Sequence, residues 1–181
     1  MAMAVTARRF TVDEVLAWPE DGNRYELVEG VLLVTPAPVP VHQIVAGRLA
    51  AALTVPCRRC PDMYVASPGE ILIRPDLKMQ PDILVFRAPS IPGKWEEVRD
   101  HWLAVEVWSP SSVIYDRDVK RDAYLQVGVR EVWLVDCQRK LIIVSQPGVP
   151  ETVRQDSLSW RPPMVPEAAP IHLAEIFRGL D

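Results

Sequence analysis

Two acidic residues sit where strands should be apolar, and both need a chemical reason to be there. Asp82 opens the run Pro81-Asp82-Ile83-Leu84-Val85, and Glu106 lies inside Leu103-Ala104-Val105-Glu106-Val107-Trp108. Strand alternation sends Leu103, Val105 and Val107 to one face and Ala104, Glu106 and Trp108 to the other. An ionised carboxylate within such a strand must be paired or bind a metal. Two carboxylates from neighbouring strand ends suit a hard divalent cation such as Mg²⁺ or Mn²⁺, which prefers oxygen ligands and leaves positions for water and phosphate. Metal-assisted phosphodiester hydrolysis is the chemistry such a pair supports. The plainer alternative is that Asp82 caps a strand start and Glu106 pairs with an arginine.

A cation to work beside those carboxylates is available on a predicted helix, where Asp116, Lys120 and Tyr124 recur at i, i+4 and i+8 on one stripe. The Lys120 ammonium could reach an attacking water or a phosphate; alternatively Asp116 and Lys120 form an ordinary surface pair. Placed on an exposed helix face, Lys120 is expected to contribute little to stability, so Lys120→Ala should leave folding intact. His42 falls in the first turn of another predicted helix, where it could contact phosphate, relay a proton or fill a half-buried polar position. Alternation gives Glu26 the face of Val28, opposite Tyr25 and Leu27, so it points inward, whereas Glu29 is a turn residue. Cys57 and Cys60 have zinc-knuckle spacing without a second pair, and Cys137 is distant, so neither a zinc nor a redox role is expected. Trp102, Trp108 and Trp133 lie in apolar strands as core or pocket lining, with Trp108 beside Glu106 as a substrate-contact candidate. There is no GxSxG elbow, phosphate-binding glycine loop or HExxH.

The elements that must position these residues are cut short by 18 prolines. Thr11 and Glu14 form a capping-box pattern for a helix from about Val12 to Trp18. Two strands flank a tight turn at Glu29-Gly30. A helix follows from about Val41 to Val55, then extended segments through YVASPGEILIRP and QPDILVF, and a strand at WLAVEVW. A helix over 112–127, with a serine as N-cap and Gly128 closing its C-terminus, precedes the strands EVWLVD and KLIIVSQ. The segment 146–170 is read as proline-rich edge and loop, and 171–181 as a terminal helix. The order is that of an α/β (α+β) domain with a sheet of mixed pairing flanked by helices. At 181 residues, 49% apolar and 24% charged, the chain is expected to be one domain over 1–181, neither disordered nor fibrous. A net charge of −4 excludes a polybasic coat. No apolar stretch is long enough for a membrane span, charge interrupts the N-terminus early, and three cysteines fit a reduced compartment, so a cytoplasmic location is expected.

Taken together, RYELVEGVLLVTPAP with His42 after it, PDILV, LAVEVWSPSS, YDRDVKRDAY and GVREVWLVD, from about Phe10 to Phe177, resemble the Uma-type endonuclease family of the PD-(D/E)XK nuclease superfamily. The resemblance implies a restriction-endonuclease-like core with a divalent metal, Mg²⁺ or Mn²⁺, held by Asp82 and Glu106. Where the superfamily pattern places a lysine, two residues after Glu106, this chain has Trp108. The resemblance implies that a lysine on the following helix takes over, and Lys120 matches it. Glu26 and His42 match further acidic and histidine positions that support the site. The substrate implied is nucleic acid, DNA in the first place, and a homodimer is compatible with the superfamily. The net charge then requires Arg58, Arg59, Arg117, Arg121 and Lys120 to form a local positive groove, or specificity to come from a partner. The competing readings are a catalytically silent binding or scaffold module on the same fold, and a small-molecule phosphodiesterase using the same metal pair.

Overall fold

A computed structural model describes residues 8–35, 38–108, 114–162, 165 and 169–180, with backbone alone for 114–117 and 169. The reciprocal capping box forms as the sequence predicts: Thr11 N donates to Glu14 Oε2 at 2.7 Å and Glu14 N to Thr11 Oγ1 at 3.2 Å, starting α1 (Val12–Leu16). β1 (Arg24–Val28) and β2 (Val31–Thr35) join through Glu29 and Gly30. Both carry positive φ, 49° and 76°, which matches the twist of a two-residue hairpin. α2 (Pro40–Cys57) begins with proline at its first turn, where the missing N–H costs nothing, and buries Val45, Ala46, Leu49 and Leu53.

Then come β3 (Met63–Ala66), β4 (Ile71–Ile73), β5 (Leu77–Met79), β6 (Ile83–Arg87) and β7 (Asp100–Trp108). α3 (Ile114–Gln126) leads to β8 (Glu131–Asp136), β9 (Leu141–Gln146), β10 (Val149–Arg154), β11 (Ser157–Trp160), β12 (Ala169–His172) and α4 (Leu173–Ile176). Six strands form the main sheet in the order β10-β9-β8-β7-β6-β3, antiparallel except for β7 and β8. The parallel pair is where a helical crossover is required, and α3 supplies it. A second sheet, β2-β1-β5-β4, carries the hairpin. The fold is thus a mixed α+β arrangement of sheets flanked by helices.

Alternation along β7 divides the interior. Leu103, Val105 and Val107 pack with α2 and Trp133, while Ala104 packs with Tyr124, Val132 and Leu134 beneath α3. Among the described residues no helix is long and apolar enough to cross a membrane.

The end of the chain differs from the sequence reading. The proline-rich stretch contributes β10, β11 and β12, and the expected terminal helix over 171–181 contracts to the single turn Leu173–Ile176. Prolines sit at strand ends and edges where no ladder N–H is needed, so they are compatible with pairing there. Pro170 pairs opposite Ser159 at the margin of a two-stranded sheet. β5, three residues long, carried too short a pattern to be predicted. The expected serine N-cap of α3 lies outside the described residues, and its closure by Gly128, at φ 91°, is present.

Gly69 fixes the approach to Asp82. Its N–H donates to Pro81 O at 3.0 Å, and a Cβ added there would stand 2.2 Å from Leu84 Cβ. Gly69→Ala is expected to destabilise the protein by about 2 kcal/mol or more through overpacking against β6. Thermal melting checks this, and an unchanged midpoint would mean that β6 is free to shift.

Candidate functional site

Register brings the two acidic strand residues face to face. β6 and β7 pair Ile83 with Val105, so Asp82, one residue before β6, lies beside Glu106 and Val107. Asp82 Oδ2 accepts from Val107 N at 2.9 Å. Its Oδ1 accepts from Arg24 Nη1 at 2.9 Å and stands 3.0 Å from His42 Nε2. Ser67 Oγ donates to the Asp82 carbonyl at 2.8 Å, fixing the backbone there.

Glu106 points to the α3 side, as alternation requires. Its Oε1 accepts from Tyr124 Oη at 2.5 Å and lies 2.9 Å from Lys120 Nζ. The same ammonium is 2.9 Å from Oε2 of Glu26, whose Oε1 accepts from Gln80 N at 2.7 Å. No well-directed hydrogen bond reaches Glu26 Oε2, so its compensation is Coulombic. Lys120 and Tyr124 face the same carboxylate because four residues make about one helical turn.

Burial and mutual charge set the protonation behaviour. Burial pushes the Glu106 carboxyl up to about 7; Lys120 opposes the rise, the charges of Asp82 and Glu26 add to it, and the Tyr124 hydroxyl opposes it. Lys120 loses hydration, yet Glu106 and Glu26 more than offset that and hold its ammonium well above the usual range. Tyr124 is raised by burial and by the Glu106 charge. Burial would raise Asp82, but His42, the Val107 N–H and Arg24 together hold it below its ordinary value. Because Tyr124 stabilises the ionised form of Glu106, Tyr124→Phe should move that carboxyl further upward and cost about 1–3 kcal/mol of stability. Carboxyl NMR titration with denaturant unfolding tests this, and an unmoved Glu106 would remove Tyr124 from the network.

Of the residues read from the sequence, Asp82, Glu106, Lys120, Glu26, His42 and Tyr124 converge on one site, whereas the Asp116 side chain lies outside the described residues. The expected exposed position of Lys120 is corrected: its side chain is 8% exposed, enclosed by carboxylates. The expected positive groove is also corrected. Arg121 is tied to Asp118, Asp122 and Glu151 at 3.1, 2.9 and 2.8 Å. Arg58 and Arg59 follow the C-terminal end of α2, whose rise places Arg58 about 24 Å from His42. The Arg117 side chain lies outside the described residues. Cys57 and Cys60 are buried in the core beside Met63, and burial pushes the Cys57 thiol up to about 12. Trp108 is half-buried against the α3-side core.

Sequence reasoning missed Arg24, although the signal was there: on β1 it lies two residues before Glu26 and therefore shares its inward face. It also missed the pair of buried Lys78 with half-buried Glu70, 3.0 Å apart, whose ammonium donates to Tyr25 O of β1 at 3.3 Å.

Among the described residues no three His, Cys, Asp or Glu side chains are grouped so as to hold an ion by themselves. Mg²⁺, however, is commonly held by one or two carboxylates with water and substrate phosphate completing the shell. Asp82 and Glu106 have the hard oxygen donors for that mode, so the residues fit such an ion chemically.

The family model described as "Uma2: Putative restriction endonuclease" matches residues 12–174. A crystal structure described as a "putative nuclease" from Anabaena variabilis is similar in fold, with a TM-score of 0.77 and 20% identity over 93% of this chain and 97% of that one. No curated protein matches the chain significantly.

Proposed function

The chain belongs to the Uma2 family, and from that premise we propose that it is a divalent-metal-dependent endonuclease hydrolysing phosphodiester bonds of nucleic acid, DNA in the first place. The observation that carries this reading is the single buried ammonium of Lys120 lying 2.9 Å from both Glu26 and Glu106, beside Asp82. Structural ion pairs seldom collect three buried carboxylates in one place, because each adds repulsion and desolvation cost. Active sites do so when a cation is to be recruited.

In this reading Asp82 and Glu106 hold the metal. A divalent cation bound there supplies Lewis acidity toward the scissile phosphate and activates water. Lys120 Nζ, held as an ion pair 2.9 Å from Glu26 Oε2 and Glu106 Oε1, turns an N–H to the attacking water or a phosphate oxygen in this reading. Glu26 anchors that ammonium, and its own position is fixed by the Gln80 N–H. Trp108 cannot supply this charge, so Lys120 does so from α3. Tyr124 holds Glu106 Oε1 in place. His42, hydrogen-bonded to Asp82, orients that carboxylate before the metal enters.

Cleavage of double-stranded and single-stranded DNA and of RNA by the purified protein tests the proposal, in Mg²⁺ or Mn²⁺ against EDTA. Metal-dependent cutting, strongest on DNA, is the expected result. Cutting that persists in EDTA would overturn the metal mechanism. Metal binding without cutting of any polymer would favour a silent module on this fold.

A further inference from the structure

A nucleic acid approaching this chain meets a net charge of −4, so attraction must come from cations close to the reacting phosphate. Of the arginines expected to form a groove, Arg58 and Arg59 lie at the far end of α2 and Arg121 is tied to acidic partners. Lys120 is enclosed and held between two carboxylates. Arg24 differs in both respects. Its side chain is 18% exposed against 3% for its partner Asp82, which puts it at the outer side of the constellation. It also spends a single nitrogen on the site: Nη1 donates to Asp82 Oδ1 at 2.9 Å and to Gln80 O at 3.4 Å. Its Nε and Nη2 donate to no acceptor among the described residues. A guanidinium presents N–H groups in a planar fork that matches two phosphate oxygens. Asp82 does not depend on Arg24 alone, because the Val107 N–H and His42 hold it as well.

We propose that Arg24 binds the scissile phosphodiester of the substrate, turning its open N–H edge to the phosphate oxygens and releasing Asp82 Oδ1 as it does so. The proposal rests on the nuclease reading of the Asp82–Glu106 site and adds to it the residue that recognises the polyanion. Arg24 would thus have two successive partners: a carboxylate in the resting protein and a phosphate in the complex.

The test is fluorescence anisotropy with a labelled DNA duplex, with Ca²⁺ in place of Mg²⁺ so that cleavage does not intervene. Wild type is compared with Arg24→Gln and Arg24→Lys across a salt series. Arg24→Gln is expected to weaken duplex binding about tenfold and to lower the salt slope by about one phosphate contact. Its Mn²⁺ affinity should be retained or rise, since a donor competing for Oδ1 is gone. Arg24→Lys should keep the slope and lose about three- to tenfold in affinity, because an ammonium cannot fork. Arg24→Lys alone decides the matter if Arg24→Gln does not fold, and wild-type affinity in it would overturn the assignment. A folded Arg24→Gln that binds duplex as wild type does would overturn it and leave the nuclease reading standing. A wild-type protein that binds no nucleic acid at all would overturn both.

Discussion

Asp82→Asn should abolish Mn²⁺ binding in a calorimetric titration of the metal-stripped protein and lower phosphodiester cleavage by about 10³-fold or more, the scale set by losing several kcal/mol of metal-supplied charge stabilisation. The amide keeps the size of the carboxylate and can still accept from the Val107 N–H, but it removes the charge that a hard cation needs. A stability cost accompanies the loss. The folded-state carboxyl of Asp82 is held below its ordinary 3.8, so its ionised form contributes stability that is present above that value and lost as pH falls through the depressed one. Asparagine forfeits this contribution at neutral pH and leaves Arg24 and His42 without their anion. Glu106→Gln should abolish Mn²⁺ binding equally, with the opposite signature in stability. Glu106 is raised from 4.5 to about 7, so the folded state binds its proton more readily than the unfolded chain, and this contribution fades as pH rises through that window. The glutamine variant should therefore show a flatter stability profile between those two values. Calorimetry on both variants beside urea unfolding across pH checks the pair. Retained Mn²⁺ affinity in either would remove that residue from the metal site.

Lys120→Met is expected to eliminate cleavage and also to destabilise the fold by about 3–5 kcal/mol near pH 8, the cost of leaving a buried ion-pair partner uncompensated. This reverses what a surface placement of the lysine implied. The ammonium lies 2.9 Å from two carboxylates that are themselves buried, so removing it strands both. Without Lys120 the Glu106 carboxyl keeps the burial and the neighbouring Asp82 and Glu26 charges that raise it, and loses the ammonium that opposed the rise. The folded variant then binds protons more tightly than its unfolded chain, and stability should recover as pH falls toward the ordinary carboxylate range. Lys120's own raised value adds nothing to the profile near neutrality: its contribution is fully present below 10.5 and fades only at strongly alkaline pH. Urea unfolding of wild type and variant at about pH 8 and about pH 5.5 separates the readings. A small loss independent of pH would mean that the lysine is an ordinary helix-surface residue.

The sequence by itself determined the local elements and the acidic pair. The capping box at Thr11 and Glu14, the Glu29-Gly30 turn, the closure of α3 at Gly128 and the alternation of β7 each depend on nearest neighbours along the chain. Such features are legible without knowing what packs against them. The same alternation fixed that Glu106 opposes the face of Val105 and Val107 and that Glu26 turns inward. Conversely, β11, β12 and the short β5 were hidden, because a three- or four-residue strand is defined by its partner more than by its own pattern, and β10 because its six residues are all exposed and bury no face.

Only the tertiary structure decided where the charges meet. A stripe of Asp116, Lys120 and Tyr124 reads equally as a solvated face or a buried one until β7 is laid beneath α3. The i, i+4 spacing says which residues share a face, not what that face covers. The parallel pairing of β7 with β8 requires the α3 crossover, and that crossover carries Lys120 back over Glu106. The β1–β5 sheet then brings Glu26 to the other side of the same ammonium. Arg24 entered the site the same way, by a side chain crossing from β1 to the strand end that holds Asp82. Contacts between residues far apart in the chain follow from topology and register, which single-sequence periodicity does not encode. The burial they create turns Lys120 from a weak surface charge into the group on which the buried carboxylates depend.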